Sequence, residues 1–227
     1  MTFFEEIIEA TKEERAEFES IPFIREGAAG QLSLDSYVAF LKEAYHHVKH
    51  TAPLLMAAGA KIPDRLEWLR LDIGEYIQEE IGHDEWILND IKACGFDSEA
   101  VRHSEPAAAT EIMVAYLYDT INRKSPLGLF GMVFVLEGTS SQIATHAAAK
   151  IKETLGLPHE AFTYLTSHGS LDQEHIIFFE KIMNRLETVE DKQAVLHCAK
   201  MMYKLYGDIF RSLPMEMNKT VEKTAVA

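Results

Sequence analysis

Three polar residues in the stretch SHGSLDQEHIIFFEKI, residues 167–182, have the spacing of metal ligands on one helix face. His168, Asp172 and His175 stand at i, i+4 and i+7, so at about 100° per residue their side chains fall within a sector of roughly 60°. The apolar run Ile176, Ile177, Phe178, Phe179 follows directly. Imidazole and carboxylate groups on one helix face are typical ligands of divalent transition metals.

Two further segments carry residues of the same kind. In EYIQEEIGHDEW, His83 has Glu80 three residues before it and Glu79 four residues before it, and either pair could chelate an ion on a helix. We favour Glu80 and leave Glu79 open. In LFGMVFVLEGTSSQIATH, Glu137 follows a long apolar run, and the sequence offers it no obvious Lys or Arg partner. An unpaired buried carboxylate would be costly, so Glu137 is expected to bind a cation.

Together the three segments offer three imidazoles and three carboxylates, from His83, His168, His175, Glu80, Glu137 and Asp172. This set suits two divalent ions with room for water or a diatomic ligand. Two ferrous ions would nearly balance the three carboxylates, so the buried site would be close to neutral. Each motif alone could also be a solvent-exposed helix face that binds no metal. A further cluster, Tyr45, His46, His47 and His50, is expected to line a pocket or cap a surface rather than to bind metal.

Helical periodicity dominates the chain and predicts an all-α, single-domain bundle of about seven or eight helices. The domain is expected to span residues 1–214, followed by a flexible tail at 215–227. Ser33 and Asp64 are predicted helix caps. The predicted helices cover about 2–19, 34–52, 64–95, 107–123, 127–155, 159–187 and 190–213. Alternating strand patterns, hairpin turns and internal repeats are absent from the sequence.

Composition and charge exclude several classes of function. The net charge is −14 and no Lys/Arg-rich stripe offsets it, which argues against nucleic-acid and anionic-membrane partners. The sequence has neither a secretory signal pattern nor an apolar run of membrane-spanning length, so we expect a cytoplasmic protein. Its two cysteines, Cys94 and Cys198, form no CxxC motif and are consistent with a reducing compartment.

The stretch EATKEERAEFESIPFIREGAAGQLSLDSYVAFLKEAYHHV resembles the first two helices of the heme-oxygenase-like superfamily. One branch of this superfamily, the heme-oxygenase-like di-iron oxidases and oxygenases, binds non-heme iron. Three motifs of this chain resemble the ligand set of that branch: Glu80-x-x-His83, Glu137-Gly-Thr-Ser and His168-x-x-x-Asp172-x-x-His175. The resemblance implies a heme-oxygenase-like bundle that forms a homodimer. It also implies that these six residues bind two iron ions, or manganese, and oxidise a small organic substrate with O₂. Amino acid derivatives and fatty acids are the substrates it suggests.

Other branches of the superfamily fit the sequence less well. Heme oxygenases bind heme through a histidine on the first helix, and the matching place here falls at or close to Arg15. Thiaminase-II-like (TenA) hydrolases use a cysteine nucleophile in the central helix, where this chain carries Glu137. Some di-iron members place the first Glu seven residues before its His, and Tyr76 stands there. A metal-free enzyme of this fold, either thiaminase-II-like or similar to pyrroloquinoline quinone (PQQ) synthase, and a non-catalytic binding or regulatory protein stay open as alternatives.

Overall fold

The computed structural model describes residues 1–217, apart from the side chains of residues 140–142 and 168–175. Within the described residues the chain forms twelve α-helices and no β-strand, which confirms the all-α prediction. The helices are α1 (Phe3–Ala10), α2 (Lys12–Glu19), α3 (Pro22–Ala28), α4 (Leu34–Val48), α5 (Thr51–Gly59), α6 (Glu67–Glu80), α7 (His83–Ala93), α8 (Ser98–Arg102), α9 (Ala108–Asp119), α10 (Leu129–Leu155), α11 (Thr163–Met183) and α12 (Val189–Ser212).

The predicted number of helices was too low because several predicted helices are divided. The predicted helix 2–19 forms α1 and α2, which separate at Thr11, whose hydroxyl donates to the carbonyl of Ile7 at 2.7 Å. The predicted end of this segment at residue 19 is confirmed, and Pro22 begins a further short helix, α3, that was not predicted. Pro53 lies in the first turn of α5, where a missing N–H costs no helical hydrogen bond. The segment that contains Pro53 therefore forms a separate helix, α5.

The predicted helix 64–95 is broken between α6 and α7. Gly82 has φ +97°, a left-handed conformation that glycine adopts without a steric penalty and that ends the helical path. Asp64 was predicted to cap this helix, but it lies in a 3₁₀ turn and makes no capping hydrogen bond. Glu80 is consequently the last residue of α6, and His83 is the first residue of α7.

Helix α10 is the central element, because it packs against α3, α11 and α12. Gly131 allows its close approach to α12, since a Cβ there would lie 2.6 Å from the carbonyl oxygen of Val195. Leu129, Phe130 and Val135 are fully buried, whereas Glu137, in the turn that follows them, is half-buried. No helix in the described part of the chain is by itself long and apolar enough to cross a membrane. Two segments within 126–155, joined at a bend, together have the length and composition of a membrane span, and no other observation supports one.

The last described residues pack against the start of α4. The predicted cap Ser33 is confirmed, because its side chain accepts a hydrogen bond from the backbone N–H of Ser36. The Ser33 N–H donates to the carbonyl of Glu216 at 2.8 Å, and the Ser36 hydroxyl donates to the carbonyl of Pro214 at 2.8 Å. Residues 218–227 lie outside the described residues, so the tail stays a prediction.

Candidate functional site

Glu80 and His83 meet at the junction of α6 and α7. The Nδ1 atom of His83 lies 3.2 Å from the Oε2 atom of Glu80. Both side chains are largely buried, with 3% of the His83 side chain and 11% of the Glu80 side chain exposed. The His83 ring packs on Trp86 with ring centroids 4.1 Å apart, which fixes the imidazole against the carboxylate. Glu79 is exposed, so the structure favours Glu80 as the carboxylate on the inner side.

A cavity of about 60 Å³, which we call the inner cavity, joins α6 to the middle of α10. Glu80 and Glu137 both line it, so two carboxylates from segments far apart in sequence border the same cavity. The remaining walls are mostly apolar and aromatic. They are formed by His47, Val48, Thr51, Leu55, Tyr76, Met132, Val133, Leu136, Tyr164 and Tyr206.

Glu137 also lines a larger cavity of about 230 Å³, which we call the outer cavity. Its walls come from α1, α2, α10, α11 and α12. They are formed by Phe4, Ile8, Arg15, Phe134, Glu137, Gly138, Ile176, Phe179 and Tyr203. Glu137 is therefore shared between two cavities, and a group bound in either of them would face its carboxylate.

The third predicted motif lies on α11, but the side chains of His168, Asp172 and His175 are outside the described residues. The same helix contributes Tyr164 to the inner cavity and Ile176 to the outer cavity, and it packs along α10. The convergence of this motif with Glu137 stays a prediction. Among the side chains that are described, no group of three or more His, Cys, Asp or Glu residues lies close enough to hold a metal ion.

The electrostatics of the inner cavity favour a cation. Tyr76 is almost fully buried, and burial first, then the negative charges of Glu137, Glu79 and Glu80, raises the pKa of its phenol well above the ordinary value. These carboxylates therefore concentrate negative charge around Tyr76. A bound metal ion would offset that charge, and buried carboxylate and imidazole groups are donors that iron accepts.

The histidines at the end of α4 and at the start of α5 have separate partners. The Nζ atom of Lys49 lies 3.2 Å from Nδ1 of His46, and Nε2 of His46 lies 3.0 Å from the hydroxyl of Ser104. Burial, with help from Lys49, lowers the pKa of His46, so that imidazole is neutral and engaged at both nitrogens. His50 pairs instead with the Tyr118 hydroxyl at 3.2 Å.

Only His47 of this cluster lines the inner cavity, where its ring packs edge-on against Tyr206 with centroids 5.7 Å apart. The sequence did not single out His47 from its neighbours. The available signal was the helical period, because buried Tyr37, Leu41, Ala44 and Val48 mark the face of α4 that points inward.

The start of α11 is held by a buried carboxylate. Asp90, on α7, accepts hydrogen bonds from the backbone N–H groups of Thr163 at 3.0 Å and Tyr164 at 2.8 Å. These N–H groups belong to the first turn of the helix, where no internal acceptor exists. Asp90 thereby fixes the register of the helix that carries the third motif.

We expect Asp90→Asn to change how stability depends on pH. Burial raises the pKa of Asp90 to about 6, although both backbone hydrogen bonds act in the opposite direction. In the unfolded chain the pKa of an aspartate is about 3.9. Between this pKa and that of the folded protein, the folded state binds more protons than the unfolded state, so the wild type loses stability as the pH rises through this range. Relative to Asp90→Asn, the loss from pH 4 to pH 7 should be about 2–3 kcal/mol. Urea unfolding of both proteins measures it, and parallel stability curves would contradict it.

The two cysteines are unsuited to nucleophilic catalysis. Cys94 and Cys198 are both buried, and burial raises the pKa of each thiol to about 12. A thiolate, rather than a thiol, is the reactive nucleophile. Since the sequence contains no other cysteine, a thiaminase-type mechanism lacks its nucleophile in this chain.

Comparison with known protein families and sequences gives two matches of wide coverage. A family model described as "iron-containing redox enzyme" matches residues 38–207. A 4-aminobenzoate synthase from Chlamydia muridarum (strain MoPn / Nigg) is 28% identical over 195 residues, which cover 82% of this chain and 80% of that protein.

Solved structures with the same fold cover nearly the whole chain. A domain of unknown function with a heme oxygenase-like fold from Shewanella denitrificans OS217 has a TM-score of 0.79 and 25% identity, covering 89% of this chain and 88% of its own. Heme oxygenase from Leptospira interrogans has a TM-score of 0.74 at 18% identity, and the match covers 94% of this chain and 100% of that one. A TenA homologue from Pseudomonas syringae pv. tomato has a TM-score of 0.75 at 11% identity, and the match covers 91% of this chain and 90% of that one. The predicted heme-oxygenase-like bundle is confirmed.

Proposed function

Because this chain belongs to the family of iron-containing redox enzymes, we propose that it is a non-heme iron oxidase or oxygenase that uses O₂ to oxidise a small organic substrate. The observation that carries the proposal is the inner cavity, which Glu80 and Glu137 both line, with Nδ1 of His83 3.2 Å from Oε2 of Glu80. Two carboxylates and an imidazole from separated segments provide the donor types that iron accepts.

We assign the metal to residues from four helices. Glu80, His83 and Glu137 are the proposed ligands among the described side chains, and His168, Asp172 and His175 are the proposed ligands from α11. This set suits two iron ions, with manganese as the alternative. When bound, the metal would supply the electron transfer to O₂ that amino-acid side chains cannot provide.

The other residues of the inner cavity control access and protonation. Met132, Val133 and Leu136 form an apolar wall of the cavity beside Glu137, a surface that offers water no hydrogen bonds. Burial raises the pKa of Tyr206 far above neutrality, so its phenol keeps its proton and can donate a hydrogen bond but cannot act as a base. The proposed ligands therefore have an apolar wall of aliphatic side chains on one side and the hydroxyl group of Tyr206 as a hydrogen-bond donor on the other.

The size of the outer cavity supports a small substrate. At about 230 Å³ it is smaller than the roughly 300–1,000 Å³ of pockets for drug-sized ligands. The similarity to a 4-aminobenzoate synthase supports an aromatic compound of that size as the first class to assay. The homodimer, the cytoplasmic location, and the absence of nucleic-acid and membrane partners stay predictions.

Anaerobic loading with ferrous iron tests the proposed function. We expect the desalted protein to retain about two iron ions per chain, the number that six such ligands suit. On exposure to air it should consume O₂ faster than the same concentration of free iron, as measured with an oxygen electrode. Iron-loaded protein with no O₂ consumption above that control would contradict the proposal. Equal consumption by metal-free protein would favour the cofactorless alternative.

A further inference from the structure

Arg15 brings a positive charge to the outer cavity. It lies on α2, is half-buried, and lines this cavity together with Glu137 of α10. Apart from Arg15 and Glu137, the described walls of this cavity are apolar or aromatic, and among them only Tyr203 carries a hydroxyl group. A cation in such a place either balances a buried anion or binds an anionic ligand.

Two of the acids on α2, one on each side of Arg15, pair with other cations. Glu14 pairs with Lys200 at 2.8 Å, and Glu17 pairs with Arg211 at 3.0 Å. Among the described residues no ion pair joins Arg15 to any carboxylate, and Glu137 shares the cavity without pairing with it. The guanidinium of Arg15 is therefore available to an anion that enters the cavity.

Tyr203 adds a hydrogen-bond donor at the same place. Burial raises the pKa of its phenol to about 12, and the positive charge of Arg15 acts in the opposite direction, so the two side chains are electrostatic neighbours. The phenol keeps its proton at neutral pH and already contacts the Thr11 side chain, so it can donate to a ligand oxygen in exchange for that contact. Phe134 and Phe179, with ring centroids 6.0 Å apart, provide an apolar wall for the body of a ligand.

We propose that the outer cavity binds the carboxylate of the substrate, with Arg15 as its ion-pair partner and Tyr203 as a second donor. This assignment rests on the proposed function, and it adds the place in the site where a small aromatic or aliphatic carboxylic acid puts its acid group. Glu137 repels a carboxylate, so the acid group lies at Arg15 and the uncharged part of the molecule faces Glu137. That orientation presents the uncharged carbons, and not the acid group, to the proposed metal ligands.

Calorimetric titration of the metal-free full-length protein tests this assignment without iron or O₂. The probes are 4-aminobenzoate and hexanoate, each compared with its uncharged amide. We expect at least one acid to bind the wild type about tenfold to a hundredfold more tightly than its amide, the value of a charge-assisted hydrogen bond. Arg15→Gln should abolish that preference, and Arg15→Lys should keep part of it because the charge remains without the planar fork. Tyr203→Phe should weaken the acid alone, by a smaller factor.

Arg123→Gln is the matched control, because Arg123 is 78% exposed and pairs with Asp119 away from the cavity. It should bind the acids as the wild type does. The assignment is wrong if neither acid binds, if acids and amides bind alike, or if Arg15→Gln keeps the preference in a folded protein. It is also wrong if Arg15→Gln and Arg123→Gln weaken binding equally. These outcomes leave the proposed function untouched, since they are measured without metal or O₂.

Discussion

Replacing Glu137 by alanine is expected to abolish iron retention and O₂ consumption together. Among the proposed ligands whose side chains are described, Glu137 alone lines both cavities, so its carboxylate lies between the metal and substrate positions that we assign. Changes to residues that only support a metal ligand typically cost about 10–100-fold in affinity, and loss of the ligand itself should cost at least that much. Iron analysis after desalting, together with oxygen-electrode traces, measures both effects.

Two variants separate loss of the ligand from loss of the fold. Glu137→Gln keeps the shape and removes the charge, so it should fail in the same way as alanine. Glu153→Ala, on the same helix, removes an exposed acid that pairs with Lys150, and it should bind iron like the wild type. Thermal melts of the iron-free variants establish folding. A folded Glu137→Ala protein that retains iron and consumes O₂ normally would remove Glu137 from the site.

Glu80→Ala and Glu79→Ala form a matched pair with opposite expected results. The two acids are adjacent and equal in charge, but Glu80 lines the inner cavity and lies 3.2 Å from His83, whereas Glu79 is exposed. We expect Glu80→Ala to lower iron affinity at least about a hundredfold and Glu79→Ala to change it only by the small factor of a surface charge.

Competition with a coloured chelator measures both affinities under the same conditions. The long-range charge effect is the same in the two variants, so the difference between them reports direct coordination. The reverse order, with Glu79→Ala weak and Glu80→Ala normal, would assign the ligand to Glu79. Equal, small losses in both variants would place the metal elsewhere.

Periodic and local signals account for most of the fold that could be predicted. The apolar run before Glu137 predicted a central buried helix, and Ser33 predicted the start of α4, because both depend on residues close in sequence. The break at Gly82 was missed because glycine is tolerated inside helices, and only the packing of α6 and α7 requires its positive φ. Helix boundaries set by tertiary packing leave little trace in the local sequence.

The candidate site was predictable in its chemistry and less so in its geometry. The types and spacing of Glu80, His83 and Glu137 indicated donors, and two of these side chains do line one cavity. Arg15 was not connected to Glu137 because the two residues are far apart in the sequence. Only the packing of α2 against the bundle brings both side chains to one cavity. His47 was not distinguished from His46 and His50, whose partners Ser104 and Tyr118 come from distant segments.

Anomalous X-ray scattering at the iron absorption edge, from crystals of the iron-loaded protein, tests the central claim most directly. We predict iron peaks in direct bonding contact with Glu80, His83 and Glu137, completed by the His168, Asp172 and His175 side chains of α11. Iron that binds only at the protein surface, or crystals that contain iron-free cavities after loading, would contradict this account.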